Sequence, residues 1–265
     1  MNEHEVYPNA PLVSVSFELR HPESDTLTAT QRAAFRDMLR EHLPMMRSRQ
    51  ATQHTIEVGP SAAIPQVRTE EFPKYFNRKN TIAASFLNGS VVVETSQYPG
   101  WNEFSDLIAL VCNARHEISP LDGVERVGLR YVDEIRIPTE DSPEWQKYLT
   151  PSVLGPGPAD VDGLSLKEWQ GVAAYGPESG RSLVVRYGTG QGFATDPNAE
   201  LRRKTTPLPG PFFLLDIDSF WIPELEVPVY SDSAIRDIAE LLHKPVREKF
   251  EQSITEHLRN EVLRK

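Results

Sequence analysis

The sequence predicts an α+β fold of two strand-and-helix sub-structures, mostly antiparallel sheets each backed by helices, with a long C-terminal helix. Three observations carry this. Segments that alternate with period two are interleaved with segments of helical period, and consecutive strands stay together. Pro and Gly concentrate between two such sets, at 138–163. The chain beyond Ser231 holds a single helical pattern. The expected organisation is an N-terminal α+β domain over 1–137, a linker or long crossover over 138–163, and a C-terminal sheet with its helix over 164–265.

In Leu12–Arg20, Val13, Val15, Phe17 and Leu19 alternate with Ser14, Ser16 and Glu18, which predicts a half-buried strand. Thr28 and Gln31 form a capping box. The helix that follows is expected to bury Ala34, Phe35, Met38, Leu39 and Leu43 before Pro44 stops it. Gln53–Val58 reads as a short strand closed by Gly59-Pro60, and 61–80 as a charged loop. Thr81–Leu87 and Val91–Thr95 flank Asn88-Gly89, a two-residue hairpin signal. Asn102 is expected to cap a second helix, whose Phe104, Leu107, Ile108, Val111 and Cys112 share one face. Val124–Ile137 is the longest strand expected in this half. The linker centres on Leu154-Gly155-Pro156-Gly157-Pro158. The second half offers strands at Leu164–Tyr175, Ser182–Tyr187 and Phe212–Trp221, with an irregular stretch from Gly188 to Pro211. It reads as a smaller relative of the first half, without a residue-level repeat.

The bulk properties exclude more than they select. A net charge of -10 disfavours a broad phosphate-binding face, so nucleic acid is not an expected partner. One cysteine, Cys112, forbids an internal disulfide and a Cys-rich zinc site, and fits a reducing cytoplasm. The polar, acidic start from Met1 to Asn9 does not read as a signal peptide. No apolar run approaches the ~20 residues needed to span a bilayer. No metal and no cofactor are expected. The seven histidines are scattered, with no His-Glu-x-x-His context.

Three landmarks carry a resemblance. They are Tyr7-Pro8-Asn9-Ala10-Pro11-Leu12-Val13 running into Phe17-Glu18-Leu19-Arg20, the segment from Val127 through Gly128-Leu129-Arg130-Tyr131 to Ile135, and Leu241-Leu242-His243 through Phe250 to Thr255. Together they resemble a sporadically distributed bacterial family of uncharacterised proteins that open with a Tyr-x-Asn-x-Pro-Leu pattern. The resemblance implies no catalytic residues. It implies a genomic setting of mobile-element, phage-defence or toxin–antitoxin type.

Two pairs of acids are candidate catalytic groups. Asp216 and Asp218 sit two apart on an expected strand and share a face, an arrangement able to hold Mg²⁺. Asp133 and Glu134, followed by Arg136, are a looser counterpart of a metal-dependent nuclease motif. The competing reading makes all four partners of arginines across a sheet. Gly188-Thr189-Gly190-Gln191-Gly192 fits neither a Rossmann fingerprint nor a P-loop and reads as a mobile loop. Arg202, Arg203 and Lys204 form a basic triplet able to receive an anion or an acidic partner. The terminal stripe Ile238, Leu242, Val246, Phe250, Ile254, Leu258 and Val262 steps by four. Each step drifts ~40° around a helix. A straight helix therefore cannot bury the whole stripe on one sheet. Either Pro245 divides it, or Phe250 and Ile254 anchor on a second surface in this chain, another copy or another protein. The sequence thus points to a binding or regulatory protein, with a protein partner or self-association through the C-terminal helix. The alternative is a metal-dependent phosphodiesterase or nuclease using the paired carboxylates. Acids converging in one cleft favour the enzyme; acids ion-paired on separate sheet faces favour the binder.

Overall fold

A computed structural model describes residues 7–58, 63–155, 162–164, 166 and 168–265, the side chains of 53–58 and 63–68 excepted. The first half runs β1 (Leu12–Arg20), α1 (Ala29–Met38), β2 (Met45–Val58), β3 (Ala63–Phe76), β4 (Ile82–Phe86), β5 (Ser90–Thr95) and α2 (Trp101–Ile118). The second runs β6 (Arg126–Ile135), α3 (Trp145–Tyr148), β7 (Gln170–Glu178), β8 (Arg181–Gly192), β9 (Gly210–Trp221), α4 (Asp232–Ser253) and a short α5 (Glu256–Leu258). The fold class is α+β with a long C-terminal helix, as expected. In place of two separate sub-structures, however, the strands among the described residues make one nine-stranded antiparallel sheet ordered β2-β3-β4-β5-β1-β6-β9-β8-β7. The two halves meet where β1 pairs with β6.

Each half follows the same route. Its first strand lies at the centre of the sheet, the chain crosses to the outer edge, and a meander returns to pair its last strand with its first. A long helix follows each last strand, α2 after β5 and α4 after β9, and the two helices touch. The repeat emerges only when β6, expected at the end of the first half, is counted with the second.

Register explains the core. Val15, Phe17 and Leu19 of β1 lie level with Tyr131, Leu129 and Val127 of β6, and all six are buried. Val91 and Val93 of β5, Leu215 and Ile217 of β9 and Val185 of β8 continue the same face. Phe35 and Leu39, the buried face of α2 and the Ile235, Ala239, Leu242, Val246 stripe of α4 close over it. Alternate residues of the same strands point to the opposite face.

Several expectations are corrected. The segment 61–80 is largely strand β3, paired along its whole length with β2. Its charges and Pro73 hid it. Pro73 lies just beyond the three residues that pair with β4, where β3 has a single neighbour, a place that tolerates proline. The Gly-rich Gly188–Gly192 run is strand too, the end of β8. A Cβ at Gly190 would sit 2.6 Å from the Phe212 ring, so glycine there allows close packing. Helix α2 starts after Gly100 with no side-chain cap, so Asn102 lies inside it. Met38 is exposed. Strand β2 begins at Met45 rather than Gln53 and β7 at Gln170 rather than Leu164. Gly59-Pro60 and Pro156-Gly157-Pro158 lie outside the described residues.

The terminal stripe resolves its drift by breaking. Helix α4 passes through Pro245 and ends at Ser253; Ile254 turns to extended backbone and bridges Leu149. Ile254, Leu258 and Leu263 then enter a second apolar cluster with Tyr7, Ile135, Tyr148, Val153 and Phe213. Phe250 spans the two clusters, its ring centroid 6.3 Å from that of Tyr7. The expected linker supplies part of this cluster through Tyr148, Leu149 and Val153. Ile254→Ala should therefore cost about 2–5 kcal/mol, at least ~4 °C in melting temperature for a chain of this size. Leu225→Ala, at a side chain 99% exposed, should change stability by less than about 0.5 kcal/mol. Thermal denaturation of the two variants checks both values.

Candidate functional site

The face of the sheet opposite the helices is charged. Ser16, Arg130 and Asp218 lie level across β1, β6 and β9, and Val132, Asp216 and Arg186 lie level across β6, β9 and β8. Arg130 grips Asp216 as a two-pronged fork, its Nε and Nη2 each donating over 2.7 Å. Arg186 stands 3.6 Å from the same carboxylate. The Asp216 side chain is 4% exposed, whereas Arg130 and Arg186 are 49% and 45% exposed. Two guanidinium groups thus share one buried carboxylate and keep outward N–H groups. Nearby, Arg126 donates to Glu18 at 2.6 Å and reaches Asp218 at 3.5 Å, with its guanidinium 4.8 Å above the Phe220 ring. It lies over Gly128, where a Cβ would be 2.4 Å from it. Glycine in mid-strand here makes room for a cation. Burial raises the Asp218 carboxyl above its ordinary range, against the pull of Arg126, Arg130 and Arg186.

At one end of this face a strap, residues 193–209, runs from the β8–β9 side toward β3 and β2. Burial alone would raise the Glu134 carboxyl, but Arg203, Arg136 and the Ala194 N–H all donate to it and hold it below the usual range. Farther along, Glu200 pairs with Arg49 and Lys74, and Lys74 pairs with Glu94. The Arg202 N–H donates to the Asn80 carbonyl at 2.7 Å. Of the basic triplet, Arg203 is therefore an internal partner of Glu134, its side chain 5% exposed. Arg202 and Lys204 face solvent.

The four candidate acids do not converge. Asp216, Asp218 and Glu134 lie on the open face, each beside arginine. Asp133 points to the helix side, level with Leu12 and Leu215. Burial, and then the Asp216 charge, push its carboxyl up to about 8. Among the described residues no group of three or more His, Cys, Asp or Glu is placed to hold a metal ion. Cys112 is buried, and burial drives its thiol well above the ordinary range. Phe250 and Ile254 both pack within this chain. Among the described residues no helix is long and apolar enough to cross a membrane.

One polar cluster escaped the sequence reading. Tyr131, on the helix side of β6, places its hydroxyl 3.0 Å from that of Tyr98 and 3.2 Å from His243 Nδ1. The His243 ring stacks on Trp101 with centroids 4.2 Å apart and planes 6° from parallel. Trp101 Nε1 donates to Glu240. Burial holds His243 near 4, with Arg247 assisting and Glu240 opposing, so the ring is neutral at pH 7. Burial also pushes Tyr98 up to about 12 and Tyr131 well above its ordinary value. The network ties α2 and α4 to β6 through Trp101, His243 and Tyr131. Its sequence signals were the places of Tyr131 and His243 in two landmarks; Tyr98 and Trp101 had none.

No known protein family matches this chain, and no curated protein matches it.

Asp133 and His243 act on stability in opposite directions. The folded chain keeps a proton on Asp133 up to about pH 8, against 3.8 for the free group. Its contribution is complete below about pH 4 and is lost as pH rises to about 8. His243 titrates near 4 when folded against 6.5 free, so its contribution is complete above about pH 6.5 and is lost as pH falls to about 4. Between pH 6.5 and 8 the Asp133 effect stands alone. The melting temperature of Asp133→Asn, relative to the native chain, should rise steadily across that interval. A constant difference would show that Asp133 titrates as an ordinary carboxyl.

Proposed function

We propose that this chain is a binding or regulatory protein, and that the open face of its sheet engages a protein partner. The observation that carries the reading is the sharing of Asp216 by two half-exposed guanidinium groups, Arg130 and Arg186. A carboxylate gripped by a guanidinium fork has little capacity left for a metal ion, and an arginine pair with outward N–H groups suits acidic or amide side chains on a partner. The ion pairing of Asp218 and Glu134, and the turning of Asp133 to the other face, support the same reading over a nuclease. The bacterial family that the landmarks resemble suggests an accessory role within a defence-type or toxin–antitoxin-type gene cluster.

The partner is sought by co-purification from the native host with mass spectrometry, and its affinity is then measured with purified proteins. Arg186→Ala should cost only about 0–1 kcal/mol of stability, since Arg130 keeps hold of Asp216. The same change should weaken the partner about tenfold or more, the scale of one lost charged contact. Undiminished affinity places the interface elsewhere. A parallel assay offers phosphodiester substrates with Mg²⁺ or Mn²⁺ to the native chain and to Asp216→Ala. No cleavage is expected from either, and cleavage by the native chain alone would establish the enzyme in place of the binder.

A further inference from the structure

The two edges of the sheet are unlike. On β2, Arg47 lies over the Phe76 ring at 4.6 Å and donates to Asn80, and Arg49 pairs with Glu200. Charged side chains are a common means of keeping an edge strand from pairing with another chain. On β7 the run Gln170–Tyr175 has no charged residue and no proline, and its register is unbroken until after Tyr175. Its hydrogen-bonded neighbour, among the described residues, is β8.

The ladder tells which backbone groups point away from β8. The Thr189 N–H donates to the Trp169 carbonyl at 3.1 Å. Opposed residues in an antiparallel ladder alternate between bonded and non-bonded pairs. With Gln170 opposite Gly188, residues Gly171, Ala173 and Tyr175 bond inward to β8. Gln170, Val172 and Ala174 turn their N–H and C=O groups outward. The side chains there are exposed as well, Val172 by 67% and Tyr175 by 48%.

We propose that β7 is a self-association edge, along which a second copy of this chain pairs antiparallel about a two-fold axis at Val172. The run is self-complementary, as a two-fold interface requires. Val172 meets Val172, and Gln170 meets Ala174, so every outward-facing residue meets another and the ladder closes in full. No like charges oppose each other along the strand, although each copy carries a net charge of -10. On the helix side the same operation sets Trp169 against Tyr175 of the second copy, and Gly171 against Ala173. The Tyr175 ring borders a groove of about 310 Å³ between β7 and α4, lined by Leu183, Leu241 and Pro245, with the Lys249 ammonium 5.7 Å from its centroid. Two nine-stranded sheets become one. This inference does not depend on a partner for the open face.

Sedimentation and light scattering across a concentration series test it. The native chain should pass from the 29.9 kDa monomer to twice that mass as concentration rises. Val172→Pro removes an N–H that points away from β8, so the fold should persist while the dimer is lost. Val172→Lys, which leaves the backbone intact, should also give a monomer, and it decides the matter if the proline variant fails to fold. Far-UV circular dichroism monitors the fold of each. A native chain that stays monomeric at the highest attainable concentration overturns the proposal. So does a dimer that survives both changes, or one abolished by Phe250→Ala and untouched by Val172→Lys.

Discussion

Strand β6 constrains the rest of the molecule. It bonds to β1 on one side and β9 on the other, and its pairing with β1 joins the two halves of the sheet. Its two faces make opposite demands. Val127, Leu129 and Tyr131 enter the core beneath the helices, while Arg126 and Arg130 pair with acids on the open side. A slip of one residue would exchange the faces and put two guanidinium groups under α4. Coulombic pairing on one side and apolar burial on the other therefore select the same register, which is what a well-specified strand needs.

Legibility in the sequence followed from which physical signal each segment carries. β1, β5, β6 and the body of β9 were readable because one of their faces is apolar and the other largely polar, which imprints period two. β3 was not, because its charges and prolines interrupt apolar alternation and its pairing with β2 is backbone bonding that leaves no local pattern. The end of β8 was not, because the glycines that let Phe212 approach are also the usual mark of a loop. The single sheet was hidden too. Pairing between Arg126–Ile135 and Gly210–Trp221 spans a long separation, and no local pattern announces it. Of the site, the alternation of Asp216 with Asp218 revealed a shared face and the arginine-paired reading. That Arg130 and Arg186 would both reach Asp216 depended on strand order.

The terminal segment shows how a conflict between period and geometry is settled. Apolar residues every four positions cannot stay on one side of a 3.6-residue helix. The chain keeps Ile235, Ala239, Leu242 and Val246 on the first cluster and lets Phe250 bridge. It abandons the helix at Ile254 so that Leu258 and Leu263 can fill the second. That cluster draws on Tyr7, Ile135, Phe213 and Leu263, residues from near both chain ends and from the paired strands β6 and β9. The Asn9 N–H also donates to the Leu263 carbonyl at 3.1 Å, which ties one end of the chain to the other.

The order of the strands also bears on how the chain is made. β6 emerges from the ribosome well before β9, its outer neighbour, which begins only at Gly210. At ~5–20 residues per second the interval lasts several seconds. During it, β6 presents an apolar, unpaired edge at what will be the middle of the sheet. The free edge is the kind that recruits foreign strands. The β7–β8 hairpin, synthesised in that interval, cannot cap it, because its place lies beyond β9. For this chain the hazardous moment of biogenesis is thus the interval between β6 and β9, before the last strand arrives to close the gap.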